Sequence, residues 1–243
     1  MLTRSLSPVL KRVCPATNNA CRSSCSTVCV EGNIASGKTS FLDWFSSFSD
    51  VQVIAEPVNK WRSVRGHNTL DLMYKDQNRW SLTFQTYVQL TMLDAHTATQ
   101  TKRCKLMERS IFSARYCFVE NLHSSGKMPN VEYAVLCEWF DWILANIELK
   151  TDLIVYLQTE PEVVYQRIKH RCRSEETKIP LEYLESLHKL HEDWLIGGRF
   201  PVPCEVVTID ANRQMSEVEH DLERLCPRIL KPEQAACFKS AAI

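Results

Sequence analysis

Gly32-Asn33-Ile34-Ala35-Ser36-Gly37-Lys38-Thr39 fits the pattern G-x-x-x-x-G-K-[ST]. A loop of this kind turns backbone N–H groups toward phosphate oxygens. Its Lys reaches the β- and γ-phosphates, and its Thr hydroxyl is placed for Mg²⁺. The flanks bear on whether the match is accidental. Thr27-Val28-Cys29-Val30 is a short, apolar, β-rich run, and Ser40-Phe41-Leu42-Asp43-Trp44-Phe45 is an apolar helical opening. Strand, loop and helix follow in the order that puts phosphate at a helix N-terminus. Residues 32 to 39 are therefore the candidate nucleotide-binding residues, with Lys38 on the transferred phosphate and Thr39 on the metal.

Further along, strand-like and helix-like segments alternate. The strand candidates are 27–31, 51–56, 104–108, 152–157 and 205–210, all short, apolar and mostly followed by polar residues. Such runs suit buried parallel strands. Between them lie helical stretches at about 38–48, 78–98, 111–124, 130–148, 161–173 and 180–196. The alternation implies an α/β fold: a doubly wound, five-stranded parallel sheet with helices on both faces. Ligands then bind beyond the carboxyl ends of the strands. No internal repeat or second domain is visible. Residues 227–243, with Pro227 and Pro232, read as a loose tail after a body spanning 27–226.

Three strand ends carry groups where the chemistry would be. The first feeds the phosphate loop, the second ends at Glu56-Pro57 and the third at Glu108-Arg109-Ser110. A phosphoryl acceptor hydroxyl must be oriented and must lose its proton, and a carboxylate such as Glu56 does both. Glu56 also disfavours a phosphorylated acceptor. Two like charges 4 Å apart repel by about 4 kcal/mol at an effective dielectric near 20. Glu108 could hold Mg²⁺ or its waters, and Arg109 could pair with Glu56 or touch the acceptor. The alternative for both is an ordinary ion pair at a sheet edge.

Arg167, Lys169, Arg171 and Arg173 gather near a helix end. They are either a solvated basic face or a lid that closes over phosphates, and their alternate spacing lets only some point inward. Trp80, Phe84, Gln85, Tyr87, Val88 and Met92 recur at helical spacing. They form either plain core or a base pocket in which Gln85 reads a base edge beside a stacking Phe84 or Phe118. His188 and His191 do not follow the H-E-x-x-H order and read as solvated rather than metal-binding.

Bulk composition narrows the class. With 29 basic and 29 acidic residues the net charge is zero, but residues 1–28 hold four cations and no carboxylate, so the remainder is acidic by four. An acidic body argues against nucleic acid as a partner. No apolar stretch reaches the length of a membrane span. The basic, Ser-rich leader, about 1–26, has Leu2, Leu6, Val9, Leu10 and Val13 toward one side of a helical wheel. That is the composition of a mitochondrial transit peptide, and matrix localisation follows from it. A disordered tail in a cytosolic protein is the alternative. None of the eleven cysteines forms a C-x-x-C pair, so a reduced compartment is the simplest reading. Cys29, Cys117 and Cys137 sit in apolar runs and read as small buried hydrophobes.

Taken together, Val30 to Thr39, Glu56-Pro57-Val58-Asn59-Lys60-Trp61, Gln85-Thr86-Tyr87, Glu108 to Tyr116 and Ile179 to Leu184 resemble the deoxyribonucleoside kinase family. The resemblance covers about residues 27–210 and points to its thymidine-directed mitochondrial branch, with the insect multisubstrate branch also similar. It implies a P-loop kinase fold with an Arg-rich lid, and ATP and Mg²⁺ as cofactors. Glu56 would be the base on the 5′-hydroxyl, with Arg109 beside it. Gln85 would bond the nucleobase. Trp61, Met73, Phe84 and Phe118 would line its pocket, and Tyr74 and Glu176 would hold the 3′-hydroxyl. Arg171 and Arg173 would be lid arginines. Asp210, Ala211 and Asn212 would pack on the adenine of ATP.

A homodimer through helices is also implied. Where purine- and cytidine-directed relatives place an Arg and an Asp, this chain has Met92 and Ala114, which with Val88 leave apolar space for a thymine methyl. The implied activity is phosphorylation of thymidine, deoxycytidine and deoxyuridine. Broader specificity that includes purines, or nucleotide binding without catalysis, are the alternatives. A GTPase switch would need Asn-Lys-x-Asp, and Asn59-Lys60-Trp61-Arg62 lacks the Asp.

Overall fold

Five apolar runs pair side by side into one all-parallel sheet in the computed structural model, which describes residues 25–230 apart from 172, 174, 177, 178 and 214. The strands are β1 (Ser26–Glu31), β2 (Val51–Ile54), β3 (Cys104–Glu108), β4 (Leu153–Gln158) and β5 (Glu205–Asp210). Their order is β2-β3-β1-β4-β5, with Val30 opposite Glu108 on one side and Val155 on the other. The chain winds one way to β2 and β3 and the other way to β4 and β5. The sheet reverses its winding beside β1, where such sheets bind ligands.

Residue alternation sends each strand's side chains to two separate cores. Val28, Val30, Leu106, Val155 and Leu157 pack on one face against Phe41, Leu42 and Phe45 of α1 (Lys38–Ser46). Cys29, Met107, Ile154 and Tyr156 face the opposite core. That second core is built by α4 (Gln77–Thr97), α7 (Asn130–Asn146), α8 (Pro161–Arg171) and α9 (Leu181–Leu195). The doubly wound arrangement expected from the alternation is present.

Several details differ from the sequence reading. Strand β2 stops at Ile54, so Glu56 lies in the loop beyond it. Two helices, α2 (Val58–Arg62) and α3 (Thr69–Lys75), fill a stretch read as a connection. Both are too short to show a helical period, although Asn68 caps α3 by accepting from the Asp71 N–H. The single helix expected at 111–124 is three pieces: α5 (Ile111–Ser113), a π-helical turn over Ala114–Val119, and α6 (Glu120–Ser124). At the C-terminal end α10 (Met215–Leu230) runs through Pro227. Burial of Leu222, Cys226, Ile229 and Leu230 against the sheet outweighs the missing N–H. Residues 1–24 of the leader and the last thirteen residues lie outside the described residues, while Ser26, placed in the leader, opens β1. Cys29 and Cys117 are buried as expected, but Cys137 is only half-buried and lies 3.0 Å from Arg115 Nη2. His191, read as solvated, is fully buried, stacks parallel to Tyr156, and shares a 2.7 Å hydrogen bond from Nδ1 with the Leu187 carbonyl.

Candidate active site

Two chambers open at the carboxyl edge of the sheet and share Ala35, Lys38, Thr39, Glu108, Arg171 and Arg173. The first lies over the phosphate loop. Gly32 and Gly37 permit its turns. Gly37 has φ 99°, and at Gly32 (φ 144°) a Cβ would lie 2.7 Å from the Leu157 carbonyl oxygen. Residues 35 to 41 line this chamber with Arg167, Ala211 and Arg213.

Gly32 and Asn33 stand behind the lining. Their carbonyls accept from Lys38 Nζ at 3.2 and 2.5 Å. Asn33 also accepts the Ile34 N–H and reaches the Leu184 carbonyl in α9. Burial, with the repulsion of Arg109, pulls the Lys38 ammonium down to about 7, against the opposing pull of Glu108, Glu56 and Glu31. Added phosphate charge at this place would favour the protonated form. Of the 210–212 trio, only Ala211 lines the chamber. Asp210 and Asn212 bond each other, and Asn212 Oδ1 accepts from the Glu160 N–H.

Thr39 Oγ1 donates to Glu108 Oε1 at 3.0 Å, joining the two residues singled out for Mg²⁺. Their oxygens suit that hard cation, which takes one or two protein oxygens and completes its shell with water and phosphate. Among the described residues no cluster of three His, Cys, Asp or Glu could hold a metal by itself.

The second chamber is lined by Glu56, Trp61, Met73, Tyr74, Phe84, Gln85, Val88, Met92, Arg109, Ala114, Phe118 and Glu176. Every substrate-side residue expected from the sequence is thus in one cavity. Ala114 and Phe118, four residues apart in the π turn, both line it. Trp61 is fixed by its Nε1–H donating to Thr91 Oγ1 at 2.8 Å, and its ring meets Phe84 edge-on. Gln85 is buried, and its Oε1 has no partner among the described residues. A buried amide oxygen in an apolar pocket is costly unless a ligand meets it.

Where the chambers meet, Arg109 Nε lies 2.9 Å from Glu56 Oε1, its Nη1 donates to the Gly32 carbonyl at 2.8 Å, and its guanidinium lies over Phe118. Burial pushes the Glu56 carboxyl above its usual range, while Arg109 pulls the other way. Burial, then Tyr183 and Glu176, hold the Tyr74 phenol well above its ordinary value, so it stays a neutral donor. Glu176 accepts from both Arg171 and Arg173, bringing a residue expected at the 3′-hydroxyl together with the two lid arginines. Arg167 lines the phosphate chamber while its Nη2 donates to the 212 and 213 carbonyls, and Lys169 lies over the Tyr165 ring.

Sequence reasoning passed over Leu70, Val58 and Tyr183, which also line the cavity. Tyr183 lies within one of the quoted runs, so proximity in that run was the available signal. It also passed over Glu31, fully buried at the end of β1. Burial pushes the Glu31 carboxyl up to about 7, opposed first by Arg109 and then by the hydrogen bond from Ser110 and the nearby Ser113 hydroxyl.

The family model of deoxynucleoside kinases matches residues 28–232. The mitochondrial thymidine kinase 2 of Macaca fascicularis is 61% identical over 86% of this chain and 79% of its own length. The human mitochondrial thymidine kinase 2 is 58% identical over 93% and 85%. Human deoxycytidine kinase is 37% identical over 85% and 92%.

Proposed function

This chain belongs to the deoxynucleoside kinase family, and from that premise we propose that it transfers the γ-phosphoryl group of ATP to the 5′-hydroxyl of pyrimidine deoxyribonucleosides. The substrates are thymidine, deoxycytidine and deoxyuridine, and the products feed DNA precursor supply by salvage. The observation that carries this reading is Glu56, a carboxylate at the junction of a phosphate-loop chamber and an apolar chamber with a waiting amide.

Glu56 accepts the 5′-O–H proton as that oxygen bonds to the γ-phosphorus and the bond to the β–γ bridging oxygen breaks, releasing ADP. Arg109 steadies the Glu56 carboxylate and keeps it from being protonated early. Lys38, Arg171 and Arg173 meet the charge spread over the transferred oxygens. Thr39 and Glu108 would hold Mg²⁺, which would supply further neutralisation of the phosphates. Gln85 bonds the base edge. Val88, Met92 and Ala114 offer an apolar wall to the pyrimidine, and Tyr74 and Glu176 take the 3′-hydroxyl.

Turnover with ATP and Mg²⁺ against the four deoxynucleosides and thymidine monophosphate tests the reading. Thymidine and deoxycytidine should lead, and thymidine monophosphate should not react. A chain that phosphorylates no nucleoside overturns it.

The relatives bear "mitochondrial" in their names, and residues 1–26 have a transit-peptide composition, so the protein acts in the matrix. Fused to a reporter, the leader should direct it there, and a diffuse signal would exclude this. A homodimer is supported by Trp139 and Trp142, which stand 54% and 55% exposed on α7 near Leu90 of α4. A monomeric mass by light scattering would exclude it.

A further inference from the structure

Glu31 is a buried ionisable group that the proposed chemistry does not use. It ends β1, one residue before the first glycine of the phosphate loop. Its Oε1 accepts a 2.5 Å hydrogen bond from Ser110 Oγ, and its Oε2 has no partner among the described residues. Burying a carboxyl on these terms is unfavourable, so its presence calls for a physical reason.

That reason lies one residue from Ser110. Arg109 has φ 63°, a left-handed conformation that a bulky residue keeps only when its surroundings impose it. On its N-terminal side the imposition comes from the strand carrying Glu31. The Arg109 N–H donates to the Val30 carbonyl at 2.9 Å, and Arg109 Nη1 donates to the Gly32 carbonyl. Both partners are the immediate chain neighbours of Glu31. On its C-terminal side Ser110 caps α5, its Oγ accepting from the Ser113 N–H at 3.3 Å. The bond from Ser110 Oγ to Glu31 ties that cap back to β1.

We propose that Glu31 is a positioning residue: through Ser110 it clamps the Arg109 turn onto the root of the phosphate loop and so sets the guanidinium against Glu56. The proposal rests on reading Glu56 and Arg109 as the pair at the acceptor hydroxyl. A plainer role would be counter-charge to the buried Lys38 and Arg109, and the two roles make opposite demands. A clamp needs an acceptor at the reach of a Glu side chain, charged or neutral. A counter-charge needs a carboxylate, and one methylene matters less.

Glu31→Asp and Glu31→Gln separate them. Under the clamp, Glu31→Asp lowers kcat for thymidine by about tenfold or more, with both KM values moving less than about threefold, while Glu31→Gln loses less than about threefold. Combined with Arg109→Lys, Glu31→Asp adds less than about twofold, because the group it positions is already changed. Nuclear magnetic resonance on the ligand-free protein gives a readout independent of turnover: exchange of the Arg109 Nε–H quickens in Glu31→Asp and not in Glu31→Gln. The clamp is overturned if Glu31→Gln is as damaging as Glu31→Asp, if the Asp loss persists in full beside Arg109→Lys, or if Nε–H exchange does not respond. A wild-type chain that turns over no nucleoside would refute the proposed function, while the exchange comparison would still decide the clamp.

Discussion

The two chambers are built by opposite means. Half of the residues lining the phosphate chamber form one run of chain, 35 to 41, a loop of the kind that offers backbone N–H groups to phosphate. The nucleoside chamber gathers side chains from α2, α3, α4, the π turn and the loops after β2 and β3. Phosphate looks alike on every nucleotide, so a local loop of N–H groups suffices for it. A base and a sugar differ in shape and polarity, and only side chains from several directions can meet them. Changes in one chamber should therefore separate kinetically from changes in the other.

The largest effect should come from the junction itself. Glu56→Gln should lower kcat about 10²- to 10⁴-fold with KM for ATP and nucleoside nearly constant. A comparable rise in either KM would mean that Glu56 binds rather than reacts. The pH profile adds a sign. Burial holds the Glu56 carboxyl above the usual 4.5, and proton uptake removes the base. Wild-type kcat/KM for thymidine should therefore fall as pH drops, with its midpoint above 4.5, and this acid limb should vanish in Glu56→Gln.

Next, Gly32→Ala should weaken ATP binding by about ten- to a hundredfold, since the new Cβ meets the Leu157 carbonyl in a conformation that disfavours it. Thymidine binding measured by calorimetry without ATP should hold. If it fell equally, the chambers would not be separable. The smallest effect is the mirror case. Gln85→Leu should cut kcat/KM for thymidine about tenfold, by deleting hydrogen bonds at similar volume, and leave KM for ATP unchanged.

The same contrast explains what could be read from sequence. The phosphate loop is contiguous, so residues 32 to 39 announced strand, turn and helix together. Four of the five strands were legible to within a residue at each end, because buried parallel strands are short apolar runs. Strand β2 was shorter, since pairing with β3 ends at Ile54 and lets the chain turn toward Glu56. The nucleoside chamber was legible mainly through family resemblance, since Trp61, Gln85 and Phe118 are far apart in the chain. The break at 114–119 left no trace, because a π turn uses the same residues as an α-helix and its cause is tertiary. Glu31 escaped notice for a related reason. Nothing in a strand-ending Glu tells that its partner will be a serine 79 residues away.

Arg109 sits in a backbone conformation that glycine would adopt without penalty. Relief of that conformation is worth about 1–2 kcal/mol, whereas removing the guanidinium leaves the buried Glu56 carboxylate unpaired, at about 3–5 kcal/mol. Stability and turnover therefore depend on the same guanidinium at a single codon. Libraries screened only for heat resistance should keep Arg109 and lose Arg109→Gly clones.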